Sequence, residues 1–295
     1  MNPKSRTLSD RLRQDAIIVA PGVFDMISSR LADSMGFDAI YMSGYGTVAS
    51  YLGLPDAGLA TYTDMVSRVA QICAGTGTPL VADADTGYGG VLNVRHTVQG
   101  YEAAGASAIQ LEDQVSPKKC GHVEGGKVIS AAEMVGKLRV ALESRRSKDT
   151  LIIARTDARS SLGLDEALRR GEAYARAGAD MVFIESPQSE DELRRIGEAL
   201  KGAKLVANVG QGTRTPELSS AELQSLGYSL AIYPSLAHKS AAAAVKLSYH
   251  YLREHGTAIG LDVPLLSASD MHQLMGFPEI LQFEKRHEEE TASSP

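Results

Sequence analysis

Three carboxylates stand where parallel strands are expected to end, and together they favour a hard divalent cation. Asp83 and Asp85 close the segment TPLVADAD (78–85), and Glu112 lies near the end of AGASAIQLED (104–113). Asp83 and Asp85 are two positions apart, so both side chains can point toward one face of the sheet. Oxygen ligands without histidine or thiolate suit Mg²⁺, or Mn²⁺, far better than Zn²⁺. The competing interpretation is that these residues are helix caps or surface acids.

A cysteine in a long polar segment is the second candidate for chemistry. Cys120 lies in EDQVSPKKCGHVEGGKVIS (112–130), between Lys119 and Gly121 and close to His122. A long loop without its own secondary structure is typical of a lid or a binding loop. Basic neighbours make a thiol more acidic, which suits it to proton transfer or nucleophilic attack. The alternative is an incidental exposed cysteine.

A repeated phrase predicts the elements that must position these residues. Four segments each have a glycine that ends a helix, followed by a short apolar run that is typical of a buried parallel strand. Four more apolar runs end on polar residues in the same way. Eight strands alternating with helices predict a (β/α)8 TIM-type barrel, with an open doubly wound sheet as the structural alternative. The eight strand segments are 17–25, 35–44, 78–85, 104–113, 150–157, 177–186, 203–210 and 226–235.

Polar residues converge at the predicted strand ends. Besides the three acids, the strands end near Ser43, Arg155, Asp157, Glu185 and Asn208. Active sites of such barrels lie at the carboxyl ends of the strands and draw residues from several of them. A polar strand end that merely meets water explains any one of these residues equally well, but explains the whole set less well.

The barrel and its extra C-terminal helices are expected to form one domain over residues 1–285. More helix is predicted between residues 235 and 285 than one barrel unit needs, and surplus helix of this kind often docks onto another subunit. The polar segment 286–295 is expected to be a disordered tail.

Composition narrows the classes of partner. The 295 residues carry a net charge of −6 without a long basic run, which argues against a nucleic-acid partner. No apolar run is long enough for a membrane span, so no membrane partner is expected. The two cysteines, Cys73 and Cys120, are too few for a disulfide framework, and no apolar signal core follows the first methionine. A cytoplasmic enzyme is therefore expected, with Cys73 serving only in core packing.

At these residues the chain resembles the isocitrate lyase/phosphoenolpyruvate mutase superfamily. The resemblance runs from about residue 21 to about residue 285, and two of its motifs, DADTGYG and KKCGH, are together highly specific. The second of them marks the lyase branch. The matching phrases are YMSGYG (41–46), LGLPDAG (52–58), DADTGYG (83–89), QLEDQ (110–114), PKKCGH (117–122), ARTDA (154–158) and IYP (232–234).

The resemblance implies a barrel whose last helix is swapped between subunits of a dimer, usually assembled into a homotetramer, a dimer of dimers. It implies Mg²⁺ at Asp83 and Asp85, with support from Glu112 through water. Arg155 would pair with the anionic oxygens of the substrate, a task suited to a guanidinium. The remaining substrate-binding positions implied are Ser43, Gly44, Tyr45, Asp56, Gly121, Glu185 and Asn208.

The same resemblance implies that Cys120 is the general acid/base, helped by its loop neighbours Lys119 and His122. Cleavage between C2 and C3 of a 2-hydroxy acid releases a 2-keto acid such as pyruvate, and the departing carbanion needs a proton. Tyr41 is a candidate to take the proton of the 2-hydroxyl group. His238, just after the eighth strand, either faces the site or has no role in it.

The expected substrate is a small 2-hydroxy dicarboxylate such as 2,3-dimethylmalate, cleaved to pyruvate and a carboxylic acid. A 2-methylisocitrate lyase, which releases succinate and pyruvate, is the nearest alternative. It would need to hold a third carboxylate, yet YPSLAHKS (233–240) contains no arginine, and Lys119 replaces the arginine usual in that enzyme's loop. The sequence is also compatible with a carboxyphosphonoenolpyruvate phosphonomutase-like enzyme, an oxaloacetate hydrolase or decarboxylase, and a barrel that binds a dicarboxylate without catalysis.

Overall fold

The computed structural model describes residues 7–121 and 126–292. Within them strands and helices alternate in the order that the sequence predicts. The strands are β1 (Ile18–Val23), β2 (Ile40–Met42), β3 (Leu80–Asp83), β4 (Ala108–Glu112), β5 (Leu151–Thr156), β6 (Met181–Ile184), β7 (Leu205–Asn208) and β8 (Tyr228–Tyr233). The helices are α1 (Leu8–Leu12), α2 (Met26–Ser34), α3 (Gly44–Leu52), α4 (Tyr62–Gly75), α5 (Val91–Ala103), α6 (Ala131–Ser144), α7 (Ala158–Leu162), α8 (Leu164–Arg176), α9 (Glu190–Ala199), α10 (Ser220–Ser225), α11 (Leu236–His255), α12 (Ala268–Met275) and α13 (Phe277–Ala292).

The eight strands form one closed parallel barrel in chain order, with β8 pairing back onto β1. This confirms the TIM-type fold and excludes the open sheet. All eight predicted strand segments contain a strand. The register places Glu112 of β4 directly opposite Arg155 of β5, and Asp83 of β3 opposite Gln110 of β4. The acids of β3 and β4 and the arginine of β5 therefore meet at one end of the barrel.

The core divides into two layers because successive strand residues face opposite sides of the barrel wall. On β5, Ile153 packs in the cluster that fills the barrel interior, whereas Ile152 packs outward against the helices. Both side chains are fully buried. Arg155 is two positions beyond Ile153 and so shares its inward face. The same alternation on β3 puts Val81 and Asp83 inside the barrel.

A buried ion pair fastens the wall beneath the site. Asp113, which follows β4, accepts hydrogen bonds from the hydroxyls of Thr156 and Tyr174, at 2.7 Å each, and from Arg170 at 2.8 Å. Its other oxygen accepts the backbone N–H of Asp157 at 3.0 Å. All four partners lie on β5, just after it, or on α8, so one carboxylate joins three consecutive parts of the barrel. Four donors at one buried carboxylate compensate for its loss of hydration.

The chain separates into two compact units, a barrel unit that ends at Lys239 and a C-terminal unit that begins at Ser240. The single domain expected over residues 1–285 stays a prediction. None of the described residues in α11 and α12 is buried. Helix α13 extends into the predicted tail and ends at Ala292. Its Glu-rich sequence favours helix, and Lys285 pairs with Glu289 one turn on.

No helix in the described ranges has the length and apolar character needed to cross a bilayer.

Candidate active site

A cavity of about 330 Å³ opens at the carboxyl ends of the strands. It gathers most of the residues that the sequence singled out, including Cys120 and Arg155, which are 35 positions apart in the chain. His238 is among them, which answers the question left open about where it faces. Its lining is Tyr41, Ser43, Gly44, Tyr45, Asp56, Asp83, Lys118, Cys120, Gly121, Arg155, Glu185, Asn208, Gly210, Gly212, Thr213, Ile232, Pro234, Ser235, His238 and Lys239.

Arg155 is the cation at the floor of this cavity. Its guanidinium donates two hydrogen bonds to Asp157, at 2.8 and 3.0 Å, and lies 3.4 Å from Glu185 and 3.5 Å from Glu112. It also sits over the ring of Phe183. Burial alone would lower the pKa of Arg155, but the carboxylates of Asp157, Glu185 and Glu112 raise it well above its usual value. The guanidinium is therefore a fixed positive charge, suited to an anionic oxygen of a ligand.

The three acids predicted as metal ligands lie at the same end, in and beside the cavity. Asp85 donates its backbone N–H to the Oδ1 of Asp83 at 3.0 Å and adopts a left-handed backbone conformation with φ of 48°. Burial raises the pKa of Asp85 to about 6, Lys118 opposes that shift, and Asp83 and Asp56 add to it. Burial likewise raises the pKa of Glu112 well above its ordinary range. Like charges on these neighbouring carboxylates repel one another, which disfavours ionisation of all of them at once.

These acids fit a hard cation by their chemistry, although they are not gathered as a finished coordination shell. The Oε1 atom of Glu112 is buried and has no hydrogen-bond partner. A Cβ added at Gly44 would lie 2.7 Å from an oxygen of Asp83 and 3.8 Å from one of Asp85, so both carboxylates face the same glycine. Among the residues that the structure describes, no group of three or more acids, histidines or cysteines is arranged around a metal position.

Lys118, which sequence reasoning missed, is the buried cation of the Cys120 segment. Its ammonium lies 2.6 Å from Asp56 and 2.9 Å from Asp85, and its side chain is 4% exposed. Burial by itself would lower the pKa of Lys118, but the surrounding carboxylates, Asp85 first, raise it well above its usual value. The neighbour chosen from the sequence, Lys119, has an exposed side chain outside the cavity lining. The sequence shows two adjacent lysines here, but a loop has no periodicity that would indicate which of them is buried.

The Cys120 segment enters the cavity beside Arg155. Cys120 is partly exposed and forms no disulfide. Gly121 fits so closely that an added Cβ would collide with a guanidinium nitrogen of Arg155 and lie 2.8 Å from Asp157 and 2.9 Å from Glu185. Only glycine allows this approach. His122, predicted to help Cys120, lies outside the described residues.

The N-terminus of α3 forms the opposite wall. Ser43 caps this nine-residue helix by accepting the backbone N–H of Gly46 at 3.2 Å. Gly44 and Tyr45 follow in the first turn, where backbone N–H groups have no partner within the helix. The positive end of the helix dipole and these donors suit a carboxylate. The sequence resemblance implied substrate binding at Ser43, Gly44 and Tyr45, and that role stays a prediction.

The far side of the cavity combines an acid, an amide and an imidazole. Asn208 donates to the Oε2 of Glu185 at 3.1 Å, and Ser186 donates its backbone N–H to the Oε1 at 2.8 Å. His238 stacks on Tyr45 with ring centroids 5.3 Å apart. Burial, followed by the charge of Lys239, lowers the pKa of His238. The imidazole is therefore neutral at neutral pH and adds an aromatic face and hydrogen-bonding capacity, but no positive charge.

Tyr41 lies at the bottom of the cavity and donates to the Oε1 of Gln110 at 3.3 Å. Burial, with the charge of Asp83, raises the pKa of Tyr41 well above its usual value. A neutral phenol can donate a hydrogen bond, but the proton-accepting role suggested by the sequence requires the tyrosinate form. The site therefore disfavours that role for Tyr41.

Known proteins are similar in sequence to this chain over most of its length. A family profile described as phosphoenolpyruvate phosphomutase matches residues 8–252. A 2,3-dimethylmalate lyase from Eubacterium barkeri is 46% identical over 280 residues, which cover 95% of this chain and 96% of that protein. A 2-methylisocitrate lyase from Aeropyrum pernix is 37% identical over 282 residues, covering 96% and 89% of the two chains.

Solved structures are similar over the same length. An oxaloacetate acetylhydrolase bound to the inhibitor 3,3-difluorooxalacetate superposes with a TM-score of 0.91 at 33% identity, covering 97% of each chain. A 2,3-dimethylmalate lyase, described as a member of the PEP mutase/isocitrate lyase superfamily, gives 0.90 at 34% identity, covering 97% of this chain and 96% of that one. A phosphonopyruvate hydrolase bound to oxalate and Mg²⁺ gives 0.87 at 32% identity, covering 97% and 99%.

The close fit of Gly121 yields a prediction about the Cys120 segment. In Gly121→Ala the added methyl group would overlap Arg155 and Asp157, so the segment must move out of the cavity. We expect amide hydrogen exchange in residues 115–121, followed by mass spectrometry, to accelerate at least about tenfold, which corresponds to about 1.4 kcal/mol of lost local protection. Gly136→Ala is the matched control, because nothing lies within 4 Å of its added Cβ. Equal exchange rates in Gly121→Ala and the unmodified protein would contradict the fit.

Proposed function

This chain belongs to the phosphoenolpyruvate mutase/isocitrate lyase superfamily, and we propose that its substrate is a 2-hydroxy dicarboxylate of the 2,3-dimethylmalate type. It is an enzyme that cleaves carbon–carbon bonds. The observation that carries the proposal is one cavity lined by a fixed guanidinium, buried acids, a helix N-terminus and a cysteine thiol. The 46% identity to a 2,3-dimethylmalate lyase supports the choice of substrate class.

The proposed reaction breaks the bond between C2 and C3 of the substrate. The 2-hydroxyl group loses its proton, the C–O bond becomes the carbonyl of pyruvate, and the electron pair of the broken bond stays on C3. A proton added at C3 completes the departing carboxylic acid. The enzyme must therefore accept the proton of the 2-hydroxyl group on a basic group, stabilise negative charge on the 2-oxygen and supply one proton on the side of C3.

Asp83 and Asp85 would hold Mg²⁺, or Mn²⁺, with Glu112 in support. Buried hard oxygens in surplus over the local cations, with raised pKa values at Asp85 and Glu112, are the support for this assignment. A divalent cation bound there supplies Lewis-acid stabilisation of charge on the substrate oxygens. The solved phosphonopyruvate hydrolase structure contains Mg²⁺, which agrees with a metal in this superfamily.

Arg155 and the N-terminus of α3 would orient the substrate. The guanidinium is held by Asp157 on one edge and lies in the cavity lining, so it can pair with an anionic oxygen without first being ordered. The helix end at Ser43, Gly44 and Tyr45 would take a carboxylate. Two such positions suit a substrate with two carboxylates.

Cys120 would donate the proton that C3 needs. Of the two cysteines, Cys120 is the one in the cavity lining. Cys73 lies elsewhere in the barrel, and burial raises its pKa to about 11, which makes its thiol a poor source of thiolate. Lys118, Cys120 and Gly121 line the cavity, so the segment that carries the thiol would help to keep water from protonating or trapping intermediates. Lys119 and His122 stay proposed helpers of this segment, although the side chain of Lys119 points to solvent.

The small number of basic side chains near β8 favours a dicarboxylate substrate over a tricarboxylate. A methylisocitrate would bring a third carboxylate, and the basic side chains in this part of the lining are His238 and Lys239. The lowered pKa of His238 makes it neutral, and the ammonium of Lys239 donates to the backbone carbonyl of Gln211 at 2.8 Å. These two side chains would therefore bind a third carboxylate less strongly than an arginine would. Oxaloacetate hydrolysis is the second candidate, because the oxaloacetate acetylhydrolase structure superposes with a TM-score of 0.91.

Two cysteines outside any disulfide support a reducing compartment, and we place the enzyme in the cytoplasm on that ground. Cys73 packs against the core and Cys120 lines the cavity, so neither is available for a structural disulfide. The substrate itself, a small charged acid, is also of a kind that accumulates in an aqueous compartment.

Turnover on a panel of acids, measured as release of 2-keto acid with Mg²⁺ present, tests the assignment. We expect 2,3-dimethylmalate to be cleaved fastest, ahead of citramalate, methylisocitrate and isocitrate. Cys120→Ala should lower kcat by about 10² to 10⁴, the usual contribution of a general acid. Cys73→Ala, the other thiol of the chain, should leave kcat unchanged.

Three outcomes of this panel would contradict the proposed substrate or reaction, and a fourth would contradict the role of the thiol. The panel also contains oxaloacetate and phosphonopyruvate. Turnover limited to oxaloacetate, followed as release of oxalate and acetate, would favour the hydrolase, and turnover limited to phosphonopyruvate, followed as release of phosphate, would favour a phosphonate enzyme. Binding without any turnover would indicate a non-catalytic barrel. Full activity in Cys120→Ala would show that the thiol is not the proton donor.

Metal removal gives a test that does not depend on the substrate. We expect Mg²⁺ at about 100 times its Kd to add about 2.7 kcal/mol to stability, seen as a rise in Tm. Asp83→Asn should lose most of that rise, and chelation should abolish turnover reversibly. Asp165→Asn is the control, since that carboxylate is 90% exposed and far from the cavity lining. An identical rise in Tm for Asp83→Asn would exclude Asp83 as a ligand.

We further propose that the enzyme is a homo-oligomer, in the form of a dimer of dimers. The C-terminal unit supports this, because it exposes many large apolar side chains, which in a stable protein mark a contact surface. The swap of the last helix between subunits belongs to this proposal. The exposed side chains are Val245, Leu247, Tyr249, Leu252, Ile259, Leu265, Leu266, Phe277, Ile280, Leu281 and Phe283.

Sedimentation velocity measures the size of the assembly directly. We expect a particle of four 31.4-kDa chains. Leu281→Lys, which puts a charge on the exposed apolar surface of α13, should reduce that size, because an unpaired charge is costly to bury in an interface. Leu92→Lys, at a 77% exposed position of the barrel unit, is the control and should not change it. A monomer in the unmodified protein would overturn the proposal.

A further inference from the structure

Gln114 makes an unusual contact with the segment that carries Cys120. Its side-chain amide donates from Nε2 to the backbone carbonyl of Lys119 at 2.8 Å and accepts the backbone N–H of the same residue at its Oε1, at 3.0 Å. The side chain thus occupies both main-chain hydrogen-bonding groups of one residue, as a neighbouring strand would. Gln114 itself is only 3% exposed.

Only an amide of this length satisfies both groups. A carboxylate has no donor for the carbonyl, a hydrocarbon has neither a donor nor an acceptor, and asparagine is one methylene shorter. The contact is shielded from water by the burial of Gln114, so neither backbone group would find a solvent partner easily if the amide were removed.

The backbone of Gln114 also closes the base of the loop. It forms an isolated antiparallel bridge with Val128, while Val115 donates its N–H to the carbonyl of Lys127 at 2.7 Å. The N–H of Val115 and the carbonyl of Asp113, on either side of Gln114, therefore bond the returning arm of the loop, and the side chain of Gln114 bonds the outgoing arm. The outgoing arm is the one that leads to Cys120.

Each residue around the thiol is fixed in a different way. Lys118 is anchored through its ammonium by Asp56 and Asp85, and Gly121 by its close approach to Arg155. The side chain of Lys119 is exposed, and the backbone contact with Gln114 fixes this residue, which directly precedes Cys120.

We propose that Gln114 is a positioning residue that sets the place of the Cys120 thiol over the cavity. This rests on the proposed function in one respect, the role of Cys120 as proton donor. Gln114 does not line the cavity, so it acts through Lys119 and not on the substrate. Its loss should displace the donor while leaving the carboxylate-binding positions intact.

The test compares Gln114→Met with the unmodified enzyme in two measurements. Steady-state kinetics on the cleaved acid should show kcat lower by about 10- to 100-fold, the scale of a displacement of about 1 Å, with KM within about threefold. Trypsin under native conditions should cut the bond between Lys119 and Cys120 at least about tenfold faster, because that carbonyl has lost its partner. The cut is identified by mass spectrometry.

The chain offers a matched control in Gln224. Its amide also spans two backbone groups, donating to the carbonyl of Asp15 at 3.0 Å and accepting the N–H of Ile17 at 3.2 Å, but away from the cavity. Gln224→Met should leave kcat and cleavage after Lys119 unchanged. If Gln114→Met does not fold, Gln114→Glu replaces it, since it keeps the acceptor for the Lys119 N–H and loses only the donor.

The outcomes separate this inference from the proposed function. Unchanged cleavage after Lys119 in the Gln114 variant would overturn the contact as a restraint. Faster cleavage with unchanged kcat, or equal losses in Gln224→Met, would overturn the positioning role. If the unmodified enzyme turns over no acid of the panel, the proposed function fails, and cleavage after Lys119 still decides whether Gln114 restrains the segment.

Discussion

The balance of buried charge at the mouth of the barrel is the constraint on which the rest of the site depends. Six carboxylates, those of Asp56, Asp83, Asp85, Glu112, Asp157 and Glu185, are placed close to two cations, Arg155 and Lys118. Each acid is costly to bury as an ion unless it is paired. Burial raises the pKa of both Asp85 and Glu112, and neighbouring carboxylates, Asp83 among them, add to the shift. A divalent cation relieves the same excess without protonation.

The ion pairs of Lys118 help to hold the Cys120 segment at the cavity. Lys118 brings a positive charge to Asp56 and Asp85, and its buried ammonium is favourable only while those carboxylates are ionised. Gly121 meanwhile brings the backbone against Arg155 without adding charge. Lys118, two residues before the thiol, therefore both holds the segment at the cavity and offsets part of the negative charge of Asp56 and Asp85.

The sequence was informative where the backbone is periodic. Alternation along β3 and β5 was enough to put Asp83 and Arg155 inside the barrel mouth, because a strand fixes the direction of every second side chain. The loop after β4 has no such rule, so nothing in its sequence distinguishes Lys118, which is buried, from Lys119, whose side chain is exposed. The amide of Gln114 was equally invisible, since its role comes from a contact with the backbone five residues away and not from its own position in a pattern.

The same charge balance bears on how a substrate can enter. A dicarboxylate adds two negative charges to a cavity that already has more acids than cations, and Arg155 and the end of α3 are the groups positioned to receive them. Arg155 is already shared among Asp157, Glu185 and Glu112, so it cannot offset both the substrate and its neighbours. A cation held, as proposed, by the oxygens of Asp83 and Asp85 that face Gly44 would supply the additional positive charge. A bound cation and an anionic substrate each make the other less costly to bury, so their binding should be mutually favourable.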